Sequence, residues 1–161
     1  MLQKYKTKRE EGFTIIEVLI VLAIAGLIIL IVFLAVPALQ RNSRNTQRRN
    51  DVSAILGAVQ EFANNNGGKL PADGDATTGD MQTVYNNAKL GFYKEAANVT
   101  IGDSDPTITD EDVQLDTVAI IRGATCSSAT AVDVTNGSER QYVVKFWVET
   151  SGSPQAQCQQ S

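Results

Sequence analysis

The sequence predicts an α+β protein in which a long N-terminal α-helix packs against a small antiparallel β-sheet. Two observations predict the helix: residues 18–39 contain no charged residue, and an apolar stripe at helical spacing follows after residue 51. One observation predicts the sheet, namely several short segments near the C-terminus that are rich in Val, Ile and aromatic residues. We therefore expect one helix with an apolar half and an amphipathic half, followed by a head domain.

The apolar half of the helix is long enough to cross a membrane. Val18–Leu39 comprises 22 residues, which is about 33 Å of helix against a hydrocarbon core of roughly 30 Å. A secretory signal peptide has a shorter apolar region before a small-residue cleavage site, and Val36-Pro37-Ala38 is a poor version of such a site. We expect residues 13–40 to form a transmembrane helix, whose orientation is left open by four basic residues on each side.

The amphipathic half, residues 41–66, is expected to pack on the head. Its apolar stripe consists of Val52, Ile55, Leu56, Val59, Phe62 and Ala63. The segment from Asn64 to Gly68, followed by Pro71, supplies the stop signal. The pattern predicts a single helix from about Phe13 to Asn65.

The head, residues 67–161, is predicted to contain one short helix and three or four strands. The helix is expected from Asp80 to about Lys89, with Met81, Val84, Tyr85 and Ala88 as its apolar side. The predicted strands are Val113–Arg122, Ala131–Val134 and Gln141–Glu149. Asn136-Gly137 lies between the last two strands and carries a hairpin signal.

Composition and charge exclude several classes of function. Residues 51–161 contain six Lys or Arg and fifteen Asp or Glu, a net charge of −9, so the head is a poor candidate for binding nucleic acid. The chain contains no histidine, which excludes His-dependent catalytic triads. It also contains no Gly-rich phosphate loop and no metal-ligand spacing, and so we predict neither an enzyme nor a cofactor or metal.

Cys126 and Cys158 are the only two cysteines. Outside a bilayer their pairing is the ordinary expectation, with two free thiols or half of a metal site as the alternatives. Six acidic residues precede them and offer oxygen ligands, but their spacing fits no EF-hand, which favours a solvated acidic loop over a calcium site. These residues are Asp103, Asp105, Asp110, Glu111, Asp112 and Asp116.

Glu17 is the one charged residue between Phe13 and Gln40. An unpaired carboxylate costs about 2.5 to 3.5 kcal/mol near the centre of a membrane helix and less near its end, where headgroup water can hydrate it. The surrounding sequence, KYKTKREEGFTIIEVLIV over residues 4–21, closely resembles the class III signal of type IV prepilins. The acid in the apolar run is part of that pattern.

The resemblance implies that a prepilin peptidase cuts between Gly12 and Phe13, removes the leader of residues 1–12 and methylates the new N-terminus at Phe13. It also implies that Glu17 pairs with the terminal amine of a neighbouring subunit in a homopolymeric filament. Other implied partners are an inner-membrane platform protein, an assembly ATPase and minor pilins. The chain would reside in the cytoplasmic membrane, N-terminus inside, and afterwards in a cell-surface pilus for adhesion, twitching motility or DNA uptake.

Three further features of the sequence are interpreted through the same resemblance. Gly26 matches the glycine at which pilin helices begin to melt in filaments, but Leu34 occupies the usual proline position and Pro37 lies three residues later, so a simple kink is the alternative. The Cys126–Cys158 region resembles the disulfide-bounded surface region of pilins. A pseudopilin of type II secretion, a competence pilin and a membrane-anchored binding domain are the competing functions.

Four arginines follow the apolar segment and form a basic collar. Headgroup contact explains them without any partner. The alternative is that the collar meets acidic heads of adjacent subunits. The collar consists of Arg41, Arg44, Arg48 and Arg49.

Overall fold

The computed structural model of the protein describes residues 12–108, 110–134 and 136–161. These residues form two compact units, the first ending at Leu39 and the second beginning at Gln40. We refer to the first unit as the N-terminal segment. From here on, the head means the whole second unit, which includes the amphipathic half of the helix as well as residues 67–161. The predicted cleaved leader consists of residues 1–12, and all of these except Gly12 lie outside the described residues.

Helix α1 extends over Ile15–Asn65 and contributes residues to both units. It contains Gly26 and Pro37 without an interruption in its assignment, and the melted segment or kink near these residues stays a prediction. The Gly68 N–H donates to the carbonyl oxygen of Ala63 at 2.7 Å, with Gly68 at a φ of +86°, which is a typical glycine-assisted helix end. The single long helix is confirmed, although it begins two residues after Phe13.

The core of the head lies between α1 and a sheet. Val52, Ile55 and Val59 are fully buried and belong to one cluster with the strand residues Val118 and Val144. Burying each such side chain contributes about 1.5 to 3 kcal/mol. The predicted stripe therefore does pack against the sheet.

Seven strands make up two sheets in the described residues. The larger sheet has the order β1-β2-β3-β6-β7, and the smaller pairs β4 with β5. Their bounds are β1 Gly74–Asp75, β2 Val99–Gly102, β3 Val118–Arg122, β4 Thr125–Cys126, β5 Val132–Asp133, β6 Tyr142–Val148 and β7 Gln155–Gln160. All pairs are antiparallel except β2 with β3. The predicted α+β fold with a small, mainly antiparallel sheet is thus confirmed, although the larger sheet has five strands instead of three or four and includes one parallel pair.

Three short helical elements complete the head. Helix α2, Gly79–Ala88, confirms the predicted short helix and buries Met81 and Val84. A 3-10 turn covers Ala96–Asn98, and α3 covers Glu111–Asp116.

The predicted strand Val113–Arg122 is wrong in its first half, because α3 occupies it and β3 begins only at Val118. The Val113 N–H donates to the Asp110 carboxylate at 3.3 Å, which is the local side-chain bond that favours a helix start over a strand.

The predicted hairpin around Asn136-Gly137 is also wrong. β5 pairs with β4, whereas β6 pairs with β3 and β7. Gly137 has a different use, since a Cβ there would overlap the backbone of Gly123 and Ala124. The glycine permits a close backbone contact instead of a two-residue turn.

Candidate functional site

The first feature of the site is the start of α1. Thr14 precedes the first helical residue, Ile15, and Glu17 is three residues further on. The Thr14 N–H donates to Glu17 Oε2 at 2.8 Å, and the Glu17 N–H donates in return to Thr14 Oγ1 at 3.4 Å. The Thr14 hydroxyl also donates to Glu17 Oε2, at 2.7 Å. This reciprocal pair is a capping box, which satisfies two N–H groups that a helix start leaves without partners.

The capping box changes the interpretation of Glu17. Sequence reasoning treated Glu17 as an acid without a partner in its own chain, but its carboxylate accepts two hydrogen bonds from Thr14. The residue that this reasoning missed is Thr14. The signal was present, because Thr-x-x-Glu before an apolar run is the sequence signature of a capping box.

The second feature is the apolar surface of the N-terminal segment. From Phe13 to Leu39 the large apolar side chains are exposed, and Phe13 is 90% exposed. The most apolar window of α1 has a mean hydropathy of 3.4, and none of it is buried by other described residues. By length and composition α1 can therefore cross a membrane.

A shallow groove lies on this surface at the beginning of α1. It has a volume of about 300 Å³ and is lined by Phe13, Glu17, Val18, Val21 and Leu22. The exposed lining is entirely apolar, so Glu17 contributes its methylene groups to the groove and its carboxylate is turned to Thr14. The groove is therefore an apolar surface that lies beside the Glu17 carboxylate.

Gly12 has no steric role within the described residues. A Cβ built on it would meet no other atom of the described chain within 4 Å. Packing in the described part of the chain thus does not require a glycine at position 12.

The third feature is the arginine cluster on the head part of α1. Arg44 and Arg48 both bind the carboxylate of Glu149, just after β6, and Arg48 Nη1 lies 2.8 Å from Glu149 Oε1. The Asn45 side chain bonds the backbone of the same residue, donating to its carbonyl oxygen and accepting from its N–H, each at 2.8 Å. The hydrogen bonds from Arg44, as the largest cause, and from Arg48 lower the pKa of the Glu149 carboxylate to about 2.

Arg48 and Asp51 are buried charged residues on the same helix. Arg48 lies 4.1 Å above the Phe92 ring and donates to the carbonyl oxygen of Leu115. The Asp51 carboxylate accepts the consecutive N–H groups of Gly91, Phe92 and Tyr93. Both side chains hold loops of the head against α1, which is a structural role.

The four collar arginines therefore differ in exposure. Arg48 is only 2% exposed and cannot reach another molecule, and Arg44 is engaged by Glu149. Arg41 donates to the carbonyl oxygen of Thr150 at 2.8 Å, while Arg49 is exposed. A role for the collar between subunits stays a prediction, and Arg49 is its one member that is both exposed and outside the hydrogen bonds described above, whereas Arg41 and Arg44 are partly exposed.

The cysteines and the acidic loop lie on the outer side of the sheet. Cys126 of β4 and Cys158 of β7 form a disulfide with their Cα atoms 5.8 Å apart. In the acidic loop, Asp105 pairs with Lys145 at 2.7 Å and Asp103 pairs with Arg122 at 2.8 Å. Two of the predicted solvated carboxylates thus neutralise cations of the sheet, and in the described residues no group of three potential metal ligands was found.

The head also contains an open groove of about 800 Å³. Charged side chains of both signs line it, together with the glycines that follow α1. Its lining residues are Gly67, Gly68, Lys69, Leu70, Asp103, Arg122, Gly123, Val134, Glu139 and Arg140. This set contains no nucleophile with an adjacent base.

Comparison with known families identifies the N-terminal features. A family model described as the prokaryotic N-terminal methylation motif matches residues 7–33. The chain carries this methylation motif. The matched range contains Gly12, Phe13, Glu17 and most of the exposed apolar surface, and it confirms the resemblance to the class III signal of type IV pilins. Neither the search of curated proteins nor that of solved structures gave a match.

Proposed function

We propose that this chain is a type IV pilin-like structural subunit, processed by a prepilin peptidase and polymerised through its N-terminal helix. The observation that carries the proposal is the methylation motif at residues 7–33, most of which lies on a helix whose apolar surface is left uncovered by the described residues. The proposal assigns no catalytic role to the chain.

The proposed cleavage lies between Gly12 and Phe13. The glycine is not required by the described part of the chain itself, which supports a requirement imposed by another molecule. A residue without a Cβ lets a protease approach the backbone closely. Cleavage exposes the α-amine of Phe13, which the peptidase then methylates.

Assembly is proposed to use Glu17 and the surface around it. In a helix bundle with a low dielectric constant, an unpaired carboxylate and an unpaired amine are each costly, and bringing them together offsets much of both costs. The groove beside Glu17 has an apolar lining that a neighbouring helix can cover. We therefore propose that the Phe13 amine of one subunit binds Glu17 of the next.

The proposed location follows from the two uses of α1. Before assembly the helix spans the cytoplasmic membrane with its N-terminus inside, where the platform protein and the assembly ATPase act. After assembly the same surface packs against other copies and minor pilins in an extracellular pilus. Adhesion, twitching motility and DNA uptake are the proposed roles of that filament.

A pseudopilin of type II secretion or a competence pilin is the second candidate, because the same motif serves it. The disulfide between β4 and β7 favours a pilin, since it bounds a C-terminal surface region. The pairing of Asp103 and Asp105 with Arg122 and Lys145 leaves fewer carboxylates for a calcium loop of the pseudopilin kind. Electron microscopy of cells with and without the gene would distinguish a surface pilus from a secretion filament.

The mass of the mature protein tests the proposal. We expect it to lack residues 1–12 and to carry one added methyl group at Phe13. Gly12→Val should block cleavage, because a Cβ at this position meets no atom of the described chain within 4 Å but obstructs a close protease. Gly26→Val is the matched control, since a Cβ at Gly26 also meets no atom within 4 Å and the change should leave cleavage unchanged. An intact N-terminus in the native protein would exclude this function and favour a membrane-anchored domain.

A second experiment tests the assembly step. Glu17→Ala should be inserted into the membrane but give at least about tenfold fewer filaments, because the Phe13 amine loses its counter-ion. The midpoint temperature of thermal unfolding of the head should be the same in this variant as in the native protein. Native filament yield from Glu17→Ala would contradict the proposed role of Glu17.

A further inference from the structure

We propose that Thr14 is a positioning residue for cleavage, because its capping box with Glu17 fixes the start of α1 and keeps the Gly12–Phe13 bond outside the helix. The inference rests on the proposed function, since it concerns the peptide bond that the peptidase would cut. The structure has Gly12, Phe13 and Thr14 in non-helical backbone and the first helical residue at Ile15.

A protease can reach the Gly12–Phe13 bond in extended form only if the helix begins after that bond. Proteins that bind a peptide along its backbone take it in extended form, whereas the groups of a helix are already bonded to one another. The sequence after Gly12 is apolar, and in a membrane unsatisfied N–H groups are costly, so the helix tends to extend toward its N-terminus. Extension by one turn would include Gly12 and Phe13 in the helix.

The capping box supplies this stop two residues after the scissile bond. An N-cap residue has non-helical backbone angles. Its side-chain oxygen accepts a hydrogen bond from an N–H group of the first turn, which would otherwise need a carbonyl oxygen of a preceding helical residue. Here Thr14 Oγ1 accepts the Glu17 N–H, and the Glu17 carboxylate accepts the Thr14 N–H at 2.8 Å. A Thr14 N–H that is bonded forward to Glu17 is not bonded backward to a helical carbonyl.

This use of Thr14 is separate from the proposed use of Glu17 in assembly. The counter-ion role needs only the carboxylate and the amine of the neighbouring chain. The Thr14 hydroxyl contributes no charge to that pair, but it contributes an acceptor and a donor to the cap. Substitutions at Thr14 can therefore change cleavage without removing the charge required for assembly.

The test is the initial rate of cleavage of the full-length precursor in membranes by a prepilin peptidase. The variants are Thr14→Ala, which removes the hydroxyl, and Thr14→Ser, which retains it, with Thr46→Ala as a control from an exposed threonine of the same helix. Loss of an N-cap side chain changes helix-start equilibria by about fivefold. We expect cleavage of Thr14→Ala to slow by about this factor, while Thr14→Ser and Thr46→Ala stay within about twofold of the native rate.

Amide hydrogen exchange in detergent micelles gives an independent measurement. In Thr14→Ala the amides of Phe13 and Thr14 should change their protection, because the helix start is no longer fixed, and Thr14→Ser should retain the native pattern. Native cleavage rates in Thr14→Ala, or equal slowing in Thr14→Ala and Thr14→Ser, would overturn the inference. Failure of the peptidase to cut the native precursor would instead overturn the proposed function.

Discussion

The two parts of α1 have the same secondary structure and opposite surroundings. Up to Leu39 the large apolar side chains are exposed, whereas in the head Val52, Ile55 and Val59 are fully buried. The head part of α1 buries its apolar stripe within its own chain, against side chains of β3 and β6. The N-terminal segment presents an apolar surface that only a bilayer or other chains can cover. The head is thus organised as a self-sufficient fold, and the segment as a surface for other molecules.

Removal of the N-terminal segment is the strongest test of this comparison. A fragment of residues 40–161 should be soluble and unfold cooperatively, because every member of its main core cluster lies at or after Val52. The full-length chain should need detergent or membrane under the same conditions. Sedimentation velocity and thermal unfolding followed by circular dichroism would measure both properties. An aggregated fragment without a cooperative transition would show that the head depends on the segment.

The disulfide should have the next largest effect, and it should be confined to the head. Replacing both Cys126 and Cys158 with Ser should lower the free energy of unfolding by about 3 to 4 kcal/mol, because the bond closes a loop with a sequence separation of 32. Guanidinium denaturation of the 40–161 fragment would measure the loss, and reduction of the native fragment should reproduce it. Equal midpoints with and without the bond would contradict the prediction.

Glu149 should give the head an acid-sensitive stability. Its pKa of about 2, lowered from 4.5, means that the stabilisation is fully present above about pH 4.5 and is lost as the pH falls toward 2. Glu149→Gln should cost about 2 to 3 kcal/mol at pH 7, since it leaves the buried Arg48 without its counter-ion.

The measurement for Glu149 is the free energy of unfolding of the head fragment between pH 2 and pH 7. The native fragment should lose stability toward low pH, and the difference from Glu149→Gln should shrink with it. Glu61→Gln is the control, because Glu61 is exposed on the head part of α1. A difference that is independent of pH would contradict the assigned cause.

The smallest effect on the head is expected at Arg49. Arg49→Gln should change the free energy of unfolding by less than about 0.5 kcal/mol, because the side chain is exposed. In the proposed filament the same variant should reduce yield chiefly at low salt, where screening is weakest. Filament yield at two salt concentrations, with Arg48→Gln as a variant that destabilises the head instead, would separate the two effects. Unchanged yield at both salt concentrations would remove Arg49 from the contacts between subunits.

Local patterns predicted the helices better than the strand order. The periodicity of the stripe and the glycines after Asn65 were sufficient for α1, since both signals act within a few residues. The hairpin at Asn136-Gly137 was predicted from a two-residue signal, but the pairing of β6 with β3 and β7 depends on distant segments. β7 was missed because Gln-Ala-Gln-Cys-Gln-Gln has no strand pattern of its own and is held by β6 and the disulfide.

The site shows the same division. The methylation motif could be recognised from sequence, because it is a contiguous pattern that the family comparison also matches, and the roles of Gly12, Phe13 and Glu17 within it stay predictions. Sequence alone could not distinguish the buried collar arginine from the exposed one, since the spacing of the arginines on a helix does not reveal which of them bind Glu149. Pairing of Cys126 with Cys158 was the ordinary expectation, and the structure contains that bond.

Sequence patterns were sufficient to predict the long helix, its division into an apolar and an amphipathic half, and the motif at its start. These features depend on the order of residues along a few helical turns, and this order can be read from the sequence without knowledge of tertiary contacts. Tertiary structure alone decided that Arg48 is buried on Phe92 and Glu149 while Arg49 faces solvent. It also decided the parallel pairing of β2 with β3. Such choices depend on which distant segments pack together, and burial fixes them only when the whole head has formed.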